Sequence, residues 1–125
     1  MYLKLAHTQL DVFRISKLFV LECYRLTKEF PQEEKFNLTS QIRRAALSVH
    51  LNLAEGSTRK SAIERKRYLI VSRGSLIEVD TAFDIAVDLH FCQEEQTHKM
   101  GALLVQCFSQ LSALIKNLEN QQSMK

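Results

Sequence analysis

The sequence predicts an all-α fold, a single up-down antiparallel four-helix bundle, and three observations carry that prediction. Chain breakers are scarce, with three glycines and one proline in 125 residues, too few turn signals for a sandwich or a barrel. Aromatic residues, which favour strands, make up only 8% of the chain. Apolar residues recur over long stretches at the three- and four-residue spacings of a helix face. A chain of this length with 46% apolar and 25% charged residues fits one domain, residues 1–125, around one core. Its tails, about 1–8 and 120–125, are expected to fray.

The first helix is predicted from about Gln9 to Glu29, with Val12, Phe13, Ile15, Leu18, Phe19 and Tyr24 forming a broad apolar surface. Arg14, Lys17, Arg25 and Lys28 keep a polar stripe on it. Phe30-Pro31 stops it, because the residue before proline is pushed out of the α region. A second helix starts near Thr39 and buries Ile42, Ala46, Val49 and Leu53, with Gly56 taking a left-handed position past its end. Leu47, Leu51 and Ala54 lie elsewhere on the same cylinder, and a helix apolar nearly all round is normally enclosed on several sides.

Ser61 followed by Glu64 has the spacing of a capping box and opens a third helix running to about His90, with Leu69, Ser72, Leu76, Val79, Phe83 and Ala86 inward. Gly74 in mid-helix costs about 1 kcal/mol relative to alanine. With Ser72 and Ser75 it makes a small-residue patch suited to close helix approach. HFCQEEQTH reads as the turn into a fourth helix, whose seam is Met100, Leu104, Cys107, Leu111, Leu114 and Leu118.

MYLKLAHTQL lacks the apolar core of a signal peptide, and no stretch of about 18 apolar residues suggests a membrane span. A cytoplasmic protein is therefore expected. Cys23, Cys92 and Cys107 are odd in number and set among apolar residues, which implies packed, reduced thiols. A formal charge of +3 with pI near 8.8 permits an anionic partner without requiring one.

Phe30-Pro31 before an acidic pair, Gln41-Ile42-Arg43-Arg44-Ala45-Ala46, Asn52-Leu53-Ala54-Glu55-Gly56, and Gly74-Ser75-Leu76 with Glu78 occur in order between Leu10 and Phe91. Together these blocks resemble the four-helix-bundle family encoded in intervening sequences of bacterial 23S ribosomal RNA. The resemblance implies a small cytoplasmic bundle that assembles into a homo-oligomer, a ring-shaped pentamer. A related branch comprises accessory proteins of diversity-generating retroelements, which bind a reverse transcriptase and nucleic acid. The resemblance implies no established activity. Phe13 stands where the family commonly has tryptophan, and His50 where it has a less distinctive residue.

Two constellations carry the functional reading. Arg44, Asn52 and Glu55 fall on adjacent stripes of the second helix, so Arg44 is expected in a polar seam with Glu78 as its partner, a paired buried charge that fixes helix register. Arg43 points about 100° away and is freer to meet solvent or phosphate. Arg59, Lys60, Arg65, Lys66 and Arg67 crowd the start of the third helix, where the macrodipole disfavours cations, so an anionic partner is expected to compensate. With Arg43 these residues form the candidate contact with the backbone of structured RNA or a nucleoprotein; only Tyr68 offers stacking nearby, so base-specific reading is not predicted.

Against this stand a plain solvated face, a protein-binding assembly module using Leu47 and Leu51, and a ribonuclease. The last rests on Arg44-x5-His50, which matches the loose Arg-to-His spacing of helical HEPN-type ribonucleases, with His50 as general acid or base. Ala45 stands where such a site wants a polar residue. His90, Cys92, Glu94, Glu95 and His98 are metal-ligand types in one short segment, but their spacing fits no zinc pattern. No glycine-rich phosphate loop or nucleophile motif is present, so no cofactor, metal or small-molecule substrate is expected.

Overall fold

The computed structural model describes residues 1–123. Among them are four long helices and no strand: α1 Asp11–Thr27, α2 Leu38–Ser57, α3 Ala62–Asp88 and α4 His98–Ser123. Short connections force consecutive helices to run antiparallel. Each packs against its neighbours in the cyclic order α1, α2, α3, α4, so α1 and α3 stand at diagonal corners of a square bundle. Phe19, Ile42, Val49, Leu53, Leu76, Val79 and Leu111 are fully enclosed at its centre. Each such side chain contributes about 1.5–3 kcal/mol on burial.

The expected inward faces of α2 and α3 are the buried ones. In α4 the seam follows prediction except at one position: Ile115 is buried and Leu114 only half-buried, while Leu118 is buried as expected. A strict 4-3 repeat drifts by about 20° per heptad around a straight helix, so by the second heptad Leu114 has turned away from the centre of the seam and Ile115 shares the inward face. In α1 Leu18 is exposed and Tyr24 half-buried, while Ser16, Val20, Glu22, Cys23 and Leu26 turn inward.

The glycines act differently from expectation. Gly56 has no positive φ and lies inside α2, which ends with Thr58 as its right-handed cap. Gly56 serves close approach instead: a Cβ there would lie 2.6 Å from Tyr68 Cβ on α3. Gly74, expected to admit a neighbouring helix, has nothing within 4 Å of where its Cβ would be. Of that patch, Ser72 makes the intimate contact, donating from Oγ to the Val49 carbonyl at 2.6 Å. The left-handed residue is His90, φ 63°, in the turn after α3.

Ser61 caps α3 as predicted, its Oγ accepting from Glu64 N–H at 3.1 Å. Ala6–Gln9 forms a 3-10 turn with His7 buried, its ring edge-on to Phe13 at 5.0 Å, and α4 continues to Ser123. The last two residues of the expected frayed tail, 124 and 125, lie outside the described residues. The cysteines are free; burial pushes the Cys107 thiol up to about 12 and Cys23 higher still, so both stay protonated packing groups. No helix among the described residues is long and apolar enough to cross a membrane.

Candidate nucleic-acid interface

The connection Thr58–Ser61 brings the end of α2 beside the start of α3, and the five predicted cations gather at this corner. They are not equivalent. Arg59 donates from Nη2 to Glu55 Oε1 and to the Tyr68 hydroxyl, both at 2.8 Å, and its guanidinium lies over the Tyr68 ring at 4.8 Å. Arg65 donates from Nη1 to the Arg59 carbonyl at 3.1 Å and so clamps the connection. Lys66 reaches across to Glu119 of α4 at 3.1 Å. Lys60 and Arg67 are exposed and have no hydrogen-bond or ion-pair partner among the described residues. The crowding therefore resolves into three cations bound within the fold and two free for a ligand.

The two arginines of α2 exchange their expected roles. Arg43, predicted to be free for phosphate, lies against α1: Nε donates to Thr27 Oγ1 at 2.9 Å, Nη2 to the Tyr24 carbonyl at 3.3 Å, and the guanidinium covers the Tyr24 ring at 4.6 Å. It satisfies carbonyl and hydroxyl acceptors at the negative end of α1, where a cation is favoured. Arg44, predicted to be buried, is exposed and reaches only Ser40 Oγ at 3.5 Å. Glu78 is exposed as well and forms no ion pair among the described residues, so the Arg44–Glu78 bridge does not form within the chain. Glu55 pairs with Arg59 instead. The polar seam between α2 and α3 is built from uncharged groups: Asn52 Nδ2 donates to the Ser48 carbonyl and approaches Ser48 Oγ, both at 2.9 Å, and Ser75 Oγ meets Ser48 Oγ at 2.8 Å.

The placement of two groups escapes a reading of the sequence alone. Among the described residues Glu22 is a buried acid, its carboxylate held by Arg25 with Lys99 Nζ 3.8 Å from Oε2. The i, i+3 spacing to Arg25 is visible in the sequence, but nothing in it says which member turns inward. His50 is half-buried, its ring stacked on Phe13 at 4.4 Å and its Nδ1 2.6 Å from Ser16 Oγ. The Ser16 hydroxyl donates to the Phe13 carbonyl, so Nδ1 acts as the donor to Ser16. Burial, with the positive charges of Lys17 and His7, lowers the His50 pKa below its ordinary value. Arg44 and His50 lie six residues apart, about 120° around one helix, so they do not converge in one chain. Among the described residues no three of His, Cys, Asp and Glu are grouped as metal ligands, the segment from His90 to His98 included.

The outer surface of α3 is unusual: Ile63, Ile70, Ile77 and Ile85 are all exposed and fall on one stripe, with Gly74 at its middle. The helix thus carries apolar residues on two opposite faces, one enclosed by the bundle and one uncovered.

Residues 8–113 match the sequence pattern of the family described as 23S rRNA-intervening sequence protein. The chain belongs to that family. The match runs from just before α1 to the middle of α4 and so takes in every helix of the bundle. Among solved structures, a protein of unknown function from the S23 ribosomal protein family of Bacteroides thetaiotaomicron is similar to this intervening-sequence protein. It covers 84% of this chain and 98% of its own at 18% identity, with a TM-score of 0.75. At that identity the likeness is one of fold. No curated protein matches the chain in sequence.

Proposed function

We propose that this intervening-sequence protein is a non-enzymatic bundle that assembles with its own copies, as a homopentameric ring by family resemblance, and engages structured RNA or its nucleoprotein through sequence-independent contacts. The observation that carries the nucleic-acid reading is the α2–α3 corner. There Lys60 and Arg67 stand without partners among the described residues, beside Arg59 and Arg65, which the fold holds in place. Cations that no internal acceptor claims keep their hydration and counterions until a phosphate displaces them, which is the source of salt-dependent binding. Repetition around a ring would join such corners into one basic surface. The α3 stripe supports assembly, since uncovered apolar area of this kind marks a contact between proteins.

The test is retention of labelled, structured RNA on native gels across a salt series, with matched denaturing gels. Binding should weaken steeply with salt, leave the RNA intact, and be lost in the double variant Lys60→Glu, Arg67→Glu, whose side chains have no hydrogen-bond or ion-pair partner among the described residues. Retention unchanged in that variant removes the corner from the account. Cleavage of the RNA that disappears in His50→Ala would replace the reading with the ribonuclease.

A further inference from the structure

The corner contains a recess as well as a charge. Asn52 of α2, Arg59 of the connection, and Glu64, Arg67, Tyr68 and Val71 of α3 line a cavity of about 310 Å3. That volume falls within the lower range of small-ligand sites, about 300–1,000 Å3. Three lining residues retain hydrogen-bonding capacity open to a ligand. Arg67 has no partner among the described residues. Asn52 spends its amide N–H groups on Ser48; because a carbonyl can only accept, the amide nitrogen is the atom on that side and Oδ1 is left as a free acceptor. The Glu64 backbone N–H caps on Ser61, while its carboxylate has no partner among the described residues.

The recess therefore offers guanidinium donors and amide and carboxylate acceptors, with the Val71 side chain as an apolar wall. A bare anion would satisfy Arg67 but meet the Glu64 carboxylate unfavourably and give Asn52 nothing to accept. A neutral apolar ligand would cover Arg67 and strand its charge. The complementary ligand has an anion at one end and adjacent N–H donors at the other. Among nucleobases, the guanine Watson–Crick edge presents two adjacent N–H donors, which match one carboxylate bidentately; uracil, cytosine and adenine do not. Arg59 is fixed beforehand by Glu55 and by the Tyr68 ring and hydroxyl, so little side-chain entropy remains to be lost there on binding.

We propose that this recess binds a single guanosine monophosphate unit, the phosphate on Arg67 and the guanine edge on Glu64 and Asn52. The proposal rests on the reading that this protein meets RNA and adds to it one unpaired guanosine taken out of the RNA at the basic corner. It departs from the purely backbone contact that the basic cluster predicts, because the acceptor wall discriminates between bases.

Calorimetric titration of the full chain with guanosine 5′-monophosphate, uridine 5′-monophosphate, guanosine and inorganic phosphate tests it. The guanine nucleotide should saturate a single site and bind at least about tenfold more tightly than any of the other three. Arg67→Ala should remove the advantage of the nucleotide over guanosine, and Glu64→Gln the advantage of guanine over uracil. Equal binding of guanosine monophosphate and inorganic phosphate, no saturable binding at millimolar nucleotide, or an unaltered Arg67→Ala titration would each overturn the proposal. If structured RNA is still retained with a steep salt slope while the nucleotide fails to bind, only the recess is refuted. If both fail, the RNA reading beneath it fails too. Oligonucleotides with one unpaired guanosine, compared with the free nucleotide, separate a unit of RNA from a soluble nucleotide as the occupant.

Discussion

At the scale of the residue, the adjacent arginines of α2 show what a single degree of freedom decides. Arg43 and Arg44 are the same side chain one step apart, and a rotation of about 100° sends one to the end of α1 and the other to solvent. Arg43→Ala should cost about 1–2 kcal/mol, because it removes two hydrogen bonds from a charged donor and leaves the Tyr24 and Thr27 acceptors without it. Arg44→Ala should change stability by less than about 0.5 kcal/mol. Urea unfolding of the two variants checks both, and equal losses would contradict the exchange of roles. His50 adds a pH signature. Its pKa is lower in the folded chain than the ordinary 6.5, so the unfolded chain binds the proton more readily. Stability from this group is complete above pH 6.5, falls as pH drops through that value, and levels off below the folded pKa. The slope of the unfolding midpoint over that window should flatten in His50→Gln; an identical slope would assign the acid sensitivity elsewhere.

Elements show most clearly what is legible in the sequence. α3 is readable in its cap at Ser61 and its inward face, since a serine three residues before glutamate and a long apolar period are local signals. The burial of Ile115 rather than Leu114 in α4 depends on how far a straight helix rotates past its partners, which no local window contains. The side-chain partners of the site are not legible for a related reason. Glu22 turning inward, Arg59 folding over Tyr68 and Lys66 reaching Glu119 are pairings across or around helices, fixed only once the bundle packs. Gly56 belongs to the same class: its position next to α3 is a property of two helices together. Gly56→Ala should destabilise by about 1–3 kcal/mol, because the atom it meets, Tyr68 Cβ, is tied to the backbone and cannot swing aside. Thermal unfolding reads this directly, and an unchanged midpoint would mean that α2 and α3 separate at low cost.

For the whole molecule, the arrangement of surfaces matters more than any one of them. α1 and α3 occupy diagonal corners, and each carries uncovered apolar residues: Leu18 and Leu21 on α1, and the isoleucine stripe on α3. Their surroundings differ in charge. Arg14, Lys17, Arg25 and Lys28 accompany the α1 pair, whereas Glu78, Asp80, Asp84 and Asp88 accompany the second half of α3. Surfaces that are unlike, complementary and on opposite corners favour head-to-tail association, which closes into a ring when the rotation between copies permits. Gly74 makes this testable without relying on disruption alone. In an isolated chain its open surroundings mean that Gly74→Ala should stabilise the helix by about 1 kcal/mol. If a neighbouring copy seats a helix against that notch, the same methyl should weaken assembly, so the variant would unfold at higher denaturant as a monomer yet dissociate at higher protein concentration. Ile70→Glu with Ile77→Glu should convert the proposed assembly to monomers while leaving helicity unchanged, as measured by analytical ultracentrifugation and circular dichroism. An assembly that persists in both variants would place the contact between copies on another face, and the isoleucine stripe would then need a different partner.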